Sequence, residues 1–401
     1  MKVLVVSFYY PPEIGAAASR ISNMVEGLQR EGAEVEVLTC LPSYPKGRIF
    51  EGYRHRLWKN ETINGVKVYR FWTYASVSKN PFSRVMGMLM FAILLWTFGL
   101  RLFKVKGYDR VVIQSPPLPV AFSAMLLFRS IYRRPTVLNV SDLWPTTAVV
   151  LGAMREGSLY YRVLAFMERF VYRHATAYQG QSQEIINHVE AFAFGKPHFL
   201  YRNLQPAVSG EGDSAATADR SCLRLVYAGL LGVAQDILGM IEQIDFKQMG
   251  AELHIFGDGN QAAVIGSYVK THDCGVVFHG YKPKGEISRL LSSYHASIVP
   301  LAVAIKGAVP SKIFDLLPHG TPVLFCGGGE GEHIVADGRL GLVSPPGDYA
   351  ALKANILALK SMPDVEYEGY RARCIEASRH EFSFDEQMKK YYQFLQNYQQ
   401  A

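Results

Sequence analysis

Cysteine is scarce in this chain, and the few cysteines that occur are scattered. The 401 residues include five of them, an odd number, and none forms a CxxC pair. They are Cys40, Cys222, Cys274, Cys326 and Cys374. This usage argues against a disulfide framework and against a zinc site, and it favours a reducing compartment.

Other signals are missing as well. No basic–aromatic run resembles a nucleic-acid module, so we expect no nucleic-acid partner. No Asp-x-Asp motif lies on a suitable loop, so we predict a metal-independent protein without a cofactor. The chain enters the apolar run Lys2–Val6 without a basic-then-apolar leader, which argues against a secretory signal. The 42 basic and 35 acidic residues give a net charge of +7, a modest excess that suits phosphate ligands or anionic lipids.

The length exceeds what one hydrophobic core usually supports, so two domains are expected. Apolar strands alternate with helices in both halves, which predicts α/β domains with doubly wound parallel sheets. We expect a first domain at 1–203, a linker at 204–222, a second domain at 223–383 and a helix at 384–401 that braces the two domains. The strands are predicted at 3–7, 35–38, 66–71, 110–114, 136–140, 177–180, 225–228, 252–256, 276–279, 297–299 and 322–325.

One segment breaks this alternation. Residues 85–100 carry no charge and lie between Arg84 on one side and Arg101, Lys104 and Lys106 on the other. A helix of this length spans about 24 Å, short of the roughly 30 Å hydrocarbon core of a bilayer. We therefore expect residues 84–106 to lie on an anionic membrane surface, with 120–128 extending that surface. A transmembrane span and a buried core helix are the alternatives.

The most informative stretch is 309–330. It reads as a turn, a short helix, a buried strand and a glycine-rich turn. Pro310 suits the first turn of a helix, and the Ser311 side chain can satisfy free amides there. Asp315 follows one turn later, where it can bind the ribose hydroxyls of a nucleotide, and the turn Gly328-Gly329-Glu330 can meet the sugar. The alternative is an ordinary helix–strand connection.

Ligands of open parallel sheets bind beyond the carboxyl ends of the strands. In the first half, Gly15 follows a strand and precedes a helix, so it either lets the donor approach the backbone or forms a simple tight turn. Ser115 ends the fourth predicted strand. Asp142 follows the fifth, where it can bind sugar hydroxyls or take part in proton transfer, or else cap a helix that begins at Leu143.

In the second half, three successive predicted strands are followed by residues suited to a nucleotide sugar. Gly229 and Gly232 follow the first of these strands, and we expect them to open a helix as a phosphate cradle. Further donor-site candidates are Gly257, Asp258 and Lys282. Lys312 supplies positive charge near the 309–330 stretch, and stabilising a departing diphosphate is usually the largest catalytic contribution.

Taken together, these motifs resemble those of retaining GT-B glycosyltransferases of family 4. The most similar subgroup is that of UDP-N-acetyl-L-fucosamine transferases of bacterial surface-polysaccharide assembly. The motifs that carry the resemblance are Tyr10-Pro11-Pro12-Glu13, Ser115-Pro116-Pro117-Leu118, Asp142-Leu143-Trp144-Pro145, Tyr227-Ala228-Gly229, Gly257-Asp258-Gly259, Pro310-Ser311-Lys312, Gly329-Glu330 and Gly341-Leu342-Val343 with Pro345-Pro346-Gly347-Asp348.

The resemblance implies two Rossmann-like domains that face a cleft, with a nucleotide-sugar site in the second. It implies an acceptor site in the first domain, to which we assign Glu13, Ser115 and Trp144, and a polyprenyl-diphosphate-linked saccharide as the acceptor. The implied enzyme is a hexosyltransferase at the inner face of the cell membrane, and Asp142 and Lys312 are our catalytic candidates.

The chain also departs from the family pattern. The Gly-Gly of the first loop is Gly15-Ala16, and the two glutamates of the Glu-x7-Glu motif correspond to Gly307 and Asp315. The basic residues that many members use on the diphosphate fall near Leu230 and Gln235, which leaves Lys312 as the candidate for that role. The alternatives are a GT-B sugar-nucleotide epimerase and a catalytically inactive, membrane-docked scaffold.

Overall fold

The computed structural model describes residues 1–44, 46–76, 81–102, 107–206 and 219–398, without the side chains of 81–84 and 98–102. The basic flank predicted at Arg84, Arg101, Lys104 and Lys106 lies outside the described side chains, as do residues 207–218 of the predicted linker and 399–401 of the terminal helix. The chain divides into two compact units. The first comprises Met1–Arg202 and Asp385–Ala401, and the second comprises Asn203–Phe384.

The first unit is built on a sheet that is parallel except at one edge. Its described strands are β1 (Lys2–Val6), β2 (Glu34–Cys40), β3 (Trp58–Ile63), β4 (Val66–Phe71), β5 (Arg110–Ser115), β6 (Thr136–Val140), β7 (Ala177–Gly180) and β8 (His198–Leu200). They are ordered β3-β4-β2-β1-β5-β6-β7-β8, and only the β3–β4 pair is antiparallel. Strands such as β6 are buried along their whole length because helices cover both faces.

The helices of this unit are α1 (Ala16–Arg30), α2 (Pro81–Leu102), α3 (Leu118–Met125), α4 (Thr146–Val150), α5 (Leu159–His174) and α6 (Gln183–Glu190), with a π-helical turn at Leu126–Ile131. In α1 the buried residues Ile21, Met24, Val25 and Leu28 recur at helical spacing, which places one apolar face on the sheet. The predicted helix at 85–100 is confirmed as α2, with wider bounds.

Helix α2 is partly a core helix. Phe91 and Leu95 are fully buried, and Gly87 lies so close to the Tyr74 carbonyl oxygen that a Cβ atom would be 2.6 Å from it. Leu89 and Ile93 face outward and are exposed. Among the described residues, no helix combines the length and the apolarity needed to cross a membrane. The expectation that 120–128 is an exposed surface is wrong, because α3 packs between α2 and α5 and is buried.

The second unit is built on a fully parallel sheet. Its described strands are β9 (Leu223–Ala228), β10 (Ala251–Phe256), β11 (Val276–Gly280), β12 (Ala296–Pro300), β13 (Val323–Cys326) and β14 (Gly341–Ser344), ordered β11-β10-β9-β12-β13-β14. Numbered within the unit, this is the order 3-2-1-4-5-6 of a Rossmann sheet, and its topological switch point lies between β9 and β12.

The helices of the second unit are α7 (Ile237–Gln243), α8 (Ala262–Thr271), α9 (Lys284–Leu291), α10 (Lys312–Leu316), α11 (Glu330–Asp337), α12 (Tyr349–Ser361) and α13 (Asp364–Arg379), with a 3-10 turn at Leu317–His319. Two parallel α/β domains were predicted, and this fold class is confirmed.

The terminal helix, α14 (Phe384–Asn397), belongs to the first unit. It buries Met388, Tyr391 and Leu395, and the Met388 side chain fills the space left by Gly27 of α1. The Arg110 guanidinium donates to the Leu395 carbonyl oxygen over 2.7 Å. The chain thus returns, after the second sheet, to complete the first core.

The strand predictions were least successful at the sheet edges. All eleven predicted strands occur, whereas β3, β8 and β14 were not predicted. Strands β3 and β8 contain no fully buried residue, and the two middle residues of β14 are only partly buried. Edge strands lack the continuous apolar run by which central strands are recognised.

Candidate active site

Three turns of the second unit are bound to one another at the carboxyl edge of its sheet. The Gly229 amide donates to the Phe256 carbonyl, and the Gly257 amide donates to the Gly280 carbonyl, each over 2.9 Å. The Leu231 amide donates to the Asp258 carbonyl over 2.9 Å. A Cβ atom at Gly257 would collide with the Gly229 carbonyl oxygen. Gly257 is therefore needed because two backbone segments touch there.

Lys312 lies over the end of β9, at the switch point of the sheet. A Cβ atom at Gly229 would collide with the Lys312 side chain at Cε and Nζ, so the absence of a side chain at Gly229 makes room for the ammonium group. The Lys312 Nζ atom is 5.2 Å from the centroid of the Tyr227 ring, a cation–π distance. The Tyr227 hydroxyl donates to the Leu230 carbonyl oxygen over 2.5 Å, which fixes the ring beneath Lys312.

Burial and a nearby carboxylate shift the pKa of Lys312 in opposite directions. Burial lowers the pKa of Lys312 below the usual 10.5, and Asp315 partly offsets this. Burial also raises the pKa of Asp315, which Lys284 and Lys312 pull back down. The Lys284 Nζ atom is 3.6 Å from Asp315 Oδ1. Asp315 is thus paired with Lys284 and is also close enough to Lys312 for each to shift the pKa of the other.

The Ser311 side chain does not cap the helix as predicted, whereas its donor contact stays a prediction. Its side chain makes no capping hydrogen bond, because the residue already has helical backbone angles of φ −59° and ψ −21°. Its carbonyl oxygen instead accepts from the Asp315 amide over 3.0 Å, and that of Pro310 accepts from Ile313 over 3.1 Å. The short helix predicted after Pro310 is confirmed as α10, which begins at Lys312.

The glycine-rich turn at the end of 309–330 leads into helix α11, which was not predicted. Gly329 precedes the first residue of α11 with φ 71° and ψ −152°, a conformation that only glycine adopts readily. Glu330 is the first residue of the helix, where a carboxylate is favoured by the helix dipole. Gly328 is open, since a Cβ atom there would meet nothing closer than 3.5 Å.

Other donor-site candidates are placed differently from expectation. Gly232 does not open a helix: α7 begins at Ile237, and the Gly232 carbonyl accepts from Gln235 and Asp236 within a turn. Asp258 is exposed, and its Oδ1 accepts from the Gly259 amide over 2.7 Å. Lys282 is paired with Glu286 at 3.1 Å. Their contacts with a donor stay predictions.

The first unit presents its own polar group at the carboxyl edge of its sheet. Asp142 follows β6, and its side chain lies near those of Arg20 and Thr147. Burial raises the pKa of Asp142, while Arg20 and Thr147 lower it. The alternative that Asp142 caps a helix at Leu143 is wrong, since α4 begins at Thr146 and the residue before it is Pro145.

Arg20 was not predicted, yet it faces this group from α1. Its Nη1 donates to Gln181 Oε1 over 3.2 Å, and the Gln181 amide donates to the Ser141 carbonyl over 2.8 Å. Arg20 Nε is buried and has no hydrogen-bond partner among the described residues. Sequence reasoning missed Arg20 because a single arginine on an amphipathic helix usually lies on the solvated face.

The remaining acceptor-site candidates differ in how deeply they are buried and in which hydrogen bonds they already make. The buried Glu13 carboxylate accepts from the Ser43 and Tyr44 amides over 2.8 and 2.9 Å, so it holds the first loop in place. Ser115 is buried, and its carbonyl oxygen accepts from Gln114 and Ser141. Trp144 is half-buried against the core. The acceptor contacts of Glu13, Ser115 and Trp144 stay predictions.

Gly15 lies where a helix start was predicted, immediately before α1. A Cβ atom there would be 3.1 Å from the Tyr44 ring, so the position is tight but not closed. Whether a ligand approaches Gly15 stays a prediction. Among the described residues, no group of three or more His, Cys, Asp and Glu side chains is placed to hold a metal ion.

The two units correspond to two known domain families. Residues 15–199 match the family described as "Glycosyl transferase 4-like domain", and residues 224–361 match "Glycosyl transferases group 1". The first unit is thus similar to a glycosyltransferase 4-like domain, and the second is similar to a glycosyltransferase group 1 domain. It is also similar to the putative colanic acid biosynthesis glycosyl transferase WcaI of Escherichia coli K12, with 29% identity over 157 residues. That match spans 39% of this chain and 38% of the relative.

Solved structures with the same fold cover nearly the whole chain. WaaG, a glycosyltransferase involved in lipopolysaccharide biosynthesis, has a TM-score of 0.66 at 12% identity over 98% of this chain and 100% of its own. HepE of Anabaena, solved in complex with UDP and glucose, has a TM-score of 0.64 at 14% identity over 98% of this chain and 99% of its own. At these identities the similarity shows the fold.

Proposed function

We propose that this glycosyltransferase is a metal-independent, retaining enzyme that moves a sugar from a UDP donor to a polyprenyl-diphosphate-linked saccharide. We further propose that the sugar is an N-acetylamino sugar and that the product belongs to a cell-surface polysaccharide. The similarity to a colanic acid biosynthesis transferase supports the polysaccharide, and the UDP-bound neighbour supports the nucleotide. The proposed subgroup is that of the UDP-N-acetyl-L-fucosamine transferases.

The observation that carries the proposal is the position of Lys312 at the switch point of the second sheet. Gly229 leaves room for its ammonium group, and the Tyr227 ring lies beneath it. Removing a cation from water is costly, so an ammonium group held there gains most from a phosphate partner. We assign Lys312 to the donor diphosphate and Asp315 to the hydroxyls of the ribose.

The chemistry follows from these assignments. The bond between the anomeric carbon and the diphosphate oxygen breaks, and its electron pair leaves with the UDP. Lys312 stabilises that charge. The acceptor hydroxyl attacks from the face that the diphosphate has left, so the anomeric configuration is retained, and its proton passes to the departing phosphate. Asp142, which lies near Arg20, positions the hydroxyl.

We place the reaction at the inner face of the cell membrane, where a polyprenyl acceptor is embedded. Helix α2 supports this placement through the exposed side chains of Leu89 and Ile93. Apolar side chains that face water beside basic segments are typical of proteins that lie on a membrane.

Mass spectrometry of the product tests the proposal. Purified protein is incubated with membranes that contain the lipid-linked acceptor and with a panel of UDP- and GDP-sugars. With a UDP-sugar donor, we expect the mass of the acceptor to increase by one N-acetylhexosamine or N-acetyl deoxyhexosamine. The rate of transfer should be the same with and without EDTA. Transfer from GDP-sugars alone would contradict the donor, and conversion of the nucleotide sugar to an isomer without transfer would indicate the epimerase.

A further inference from the structure

Helix α5 carries an apolar stripe that no other described part of the protein covers. Leu159, Val163 and Phe166 are 79%, 42% and 58% exposed. At 3.6 residues per turn these three positions lie within roughly 60° of one another on the helix surface. The core-facing residues of α5, Leu164, Val171 and Tyr172, lie on the opposite side. The stripe is therefore additional to the face that folds the helix into the protein.

Arginines line one edge of this stripe. Arg162, Arg169 and Arg173 are exposed and recur at helical spacing next to Leu159, Val163 and Phe166. The only acidic residue of α5, Glu168, is buried, where it accepts from the Tyr172 hydroxyl and contacts His188. The outward side of α5 thus combines apolar and positive groups without an exposed carboxylate of its own.

The stripe continues across the neighbouring helices. The Phe122 ring of α3 is 6.2 Å from Phe166 and 4.7 Å from Phe170. On its other side α3 packs against α2, where the Ser123 hydroxyl donates to the Ala92 carbonyl over 3.1 Å. Helices α5, α3 and α2 therefore pack side by side in one layer. The exposed apolar side chains of α5 and of α2 both belong to this layer.

From this arrangement we infer that α5 is a docking surface for an anionic lipid bilayer. The helix lies in the interface, with Leu159, Val163 and Phe166 among the acyl chains and Arg162, Arg169 and Arg173 on phosphate headgroups. The inference extends the proposed membrane placement from α2 to an element that sequence reasoning did not consider. The inference rests on the proposed function for its biological meaning. Membrane binding by α5 can nevertheless be measured without sugar transfer.

A second copy of the chain fits the stripe less well. A stable dimer buries about 1,200–2,000 Å² in total, whereas three side chains on one helix offer much less. Two copies related by a twofold axis would also bring six arginines together without exposed acidic partners on α5. A negatively charged bilayer satisfies both the apolar and the basic side of the helix.

Vesicle co-sedimentation of the full-length protein tests the inference. We expect binding to phosphatidylcholine vesicles that contain phosphatidylglycerol, and weak binding to phosphatidylcholine alone. Val163→Asp and Leu159→Asp should each weaken binding by about tenfold, because a side chain that enters the acyl region becomes charged. Leu159→Asp places its carboxylate at the first residue of α5, where the helix dipole favours it, so this variant should remain folded.

Matched controls separate the stripe from a general effect of charge. Val365→Asp introduces the same change at an 89% exposed position of the second unit and should leave vesicle binding unchanged. Arg162→Gln, Arg169→Gln and Arg173→Gln should each reduce the preference for phosphatidylglycerol by about fivefold.

Three outcomes would overturn the inference: binding that survives Leu159→Asp and Val163→Asp, equal loss with Val365→Asp, or a concentration-dependent dimer that Val163→Asp dissolves. Failure of the proposed function would look different. In that case no donor would support transfer in detergent micelles, while the vesicle binding of the wild-type protein would still depend on α5.

Discussion

Lys312 is the residue on which the donor proposal most depends, and its setting permits a paired test. Lys312→Ala removes the ammonium group, whereas Gly229→Ala leaves it in the chain but inserts a Cβ atom into its position. Both should lower kcat/KM for the nucleotide sugar by about 10²- to 10³-fold, the range found for loss of one charge-stabilising group. Steady-state kinetics with the active UDP-sugar measures the effect.

The control for this pair is Lys353→Ala, an exposed lysine of α12 in the same unit. It should leave kcat/KM unchanged. If Lys312→Ala retained wild-type turnover while folded, the diphosphate would have another partner. If Gly229→Ala alone were inactive, Lys312 would not be the group that Gly229 accommodates.

The pH dependence of turnover should report Asp142 and Arg20 together. If ionised Asp142 positions the acceptor, activity rises as the pH rises through the pKa of Asp142, which burial places above the usual 3.8. Arg20 lowers that pKa, so Arg20→Gln should raise it and move the acid limb of kcat/KM to higher pH. Lys312 must stay protonated, and its lowered pKa places the alkaline limb below 10.5.

Arg30→Gln is the matched control, because Arg30 is an exposed arginine of the same helix. Its pH profile should coincide with that of the wild type. An Arg20→Gln profile that loses activity equally at every pH would indicate a purely structural role for Arg20.

At the scale of elements, α14 is a late segment of the chain that completes the first core. Leu395→Ala should lower the free energy of unfolding by about 2–5 kcal/mol, because it leaves a cavity under a helix whose inner face is fully buried. Gln393→Ala changes an exposed position of the same helix and should alter stability little. Denaturant unfolding followed by circular dichroism measures both, and equal values would contradict the assigned docking of α14.

The elements also show where sequence reasoning succeeded. Strands such as β1 and β13 were predicted because strands covered on both faces need unbroken apolar runs. Strand β3 was missed because it pairs on one side only and alternates between half-exposed and exposed side chains. The wrong assignments at Gly232 and Ser311 have a local cause: the start of a helix depends on backbone angles that composition does not fix.

At the scale of the whole molecule, nucleotide binding is expected to protect the second unit. This unit contains the residues that we propose to bind the nucleotide, namely Gly229, Lys312 and Asp315. UDP at 100 times its Kd should stabilise the folded state by about 2.7 kcal/mol. Hydrogen exchange should show the protection in β9, in the turn after it and in α10.

Two comparisons decide whether that protection is specific. GDP at the same concentration should protect less than UDP, and Gly229→Ala should abolish the effect. Protection confined to the first unit, or equal protection by both nucleotides, would contradict a UDP site on the second sheet.

The sequence by itself determined the two parallel α/β domains and most of the central strands, because the periodicity of buried residues is a local property of the chain. It also pointed to the loops after those strands as the place for ligands. Only the tertiary structure brought Lys312 over Gly229, set Arg20 opposite Asp142 and turned the apolar stripe of α5 outward. The first two relations join residues that are far apart in the chain, up to 122 positions for Arg20 and Asp142. The third depends on which face of α5 the core leaves uncovered. No short stretch of sequence encodes either kind of relation.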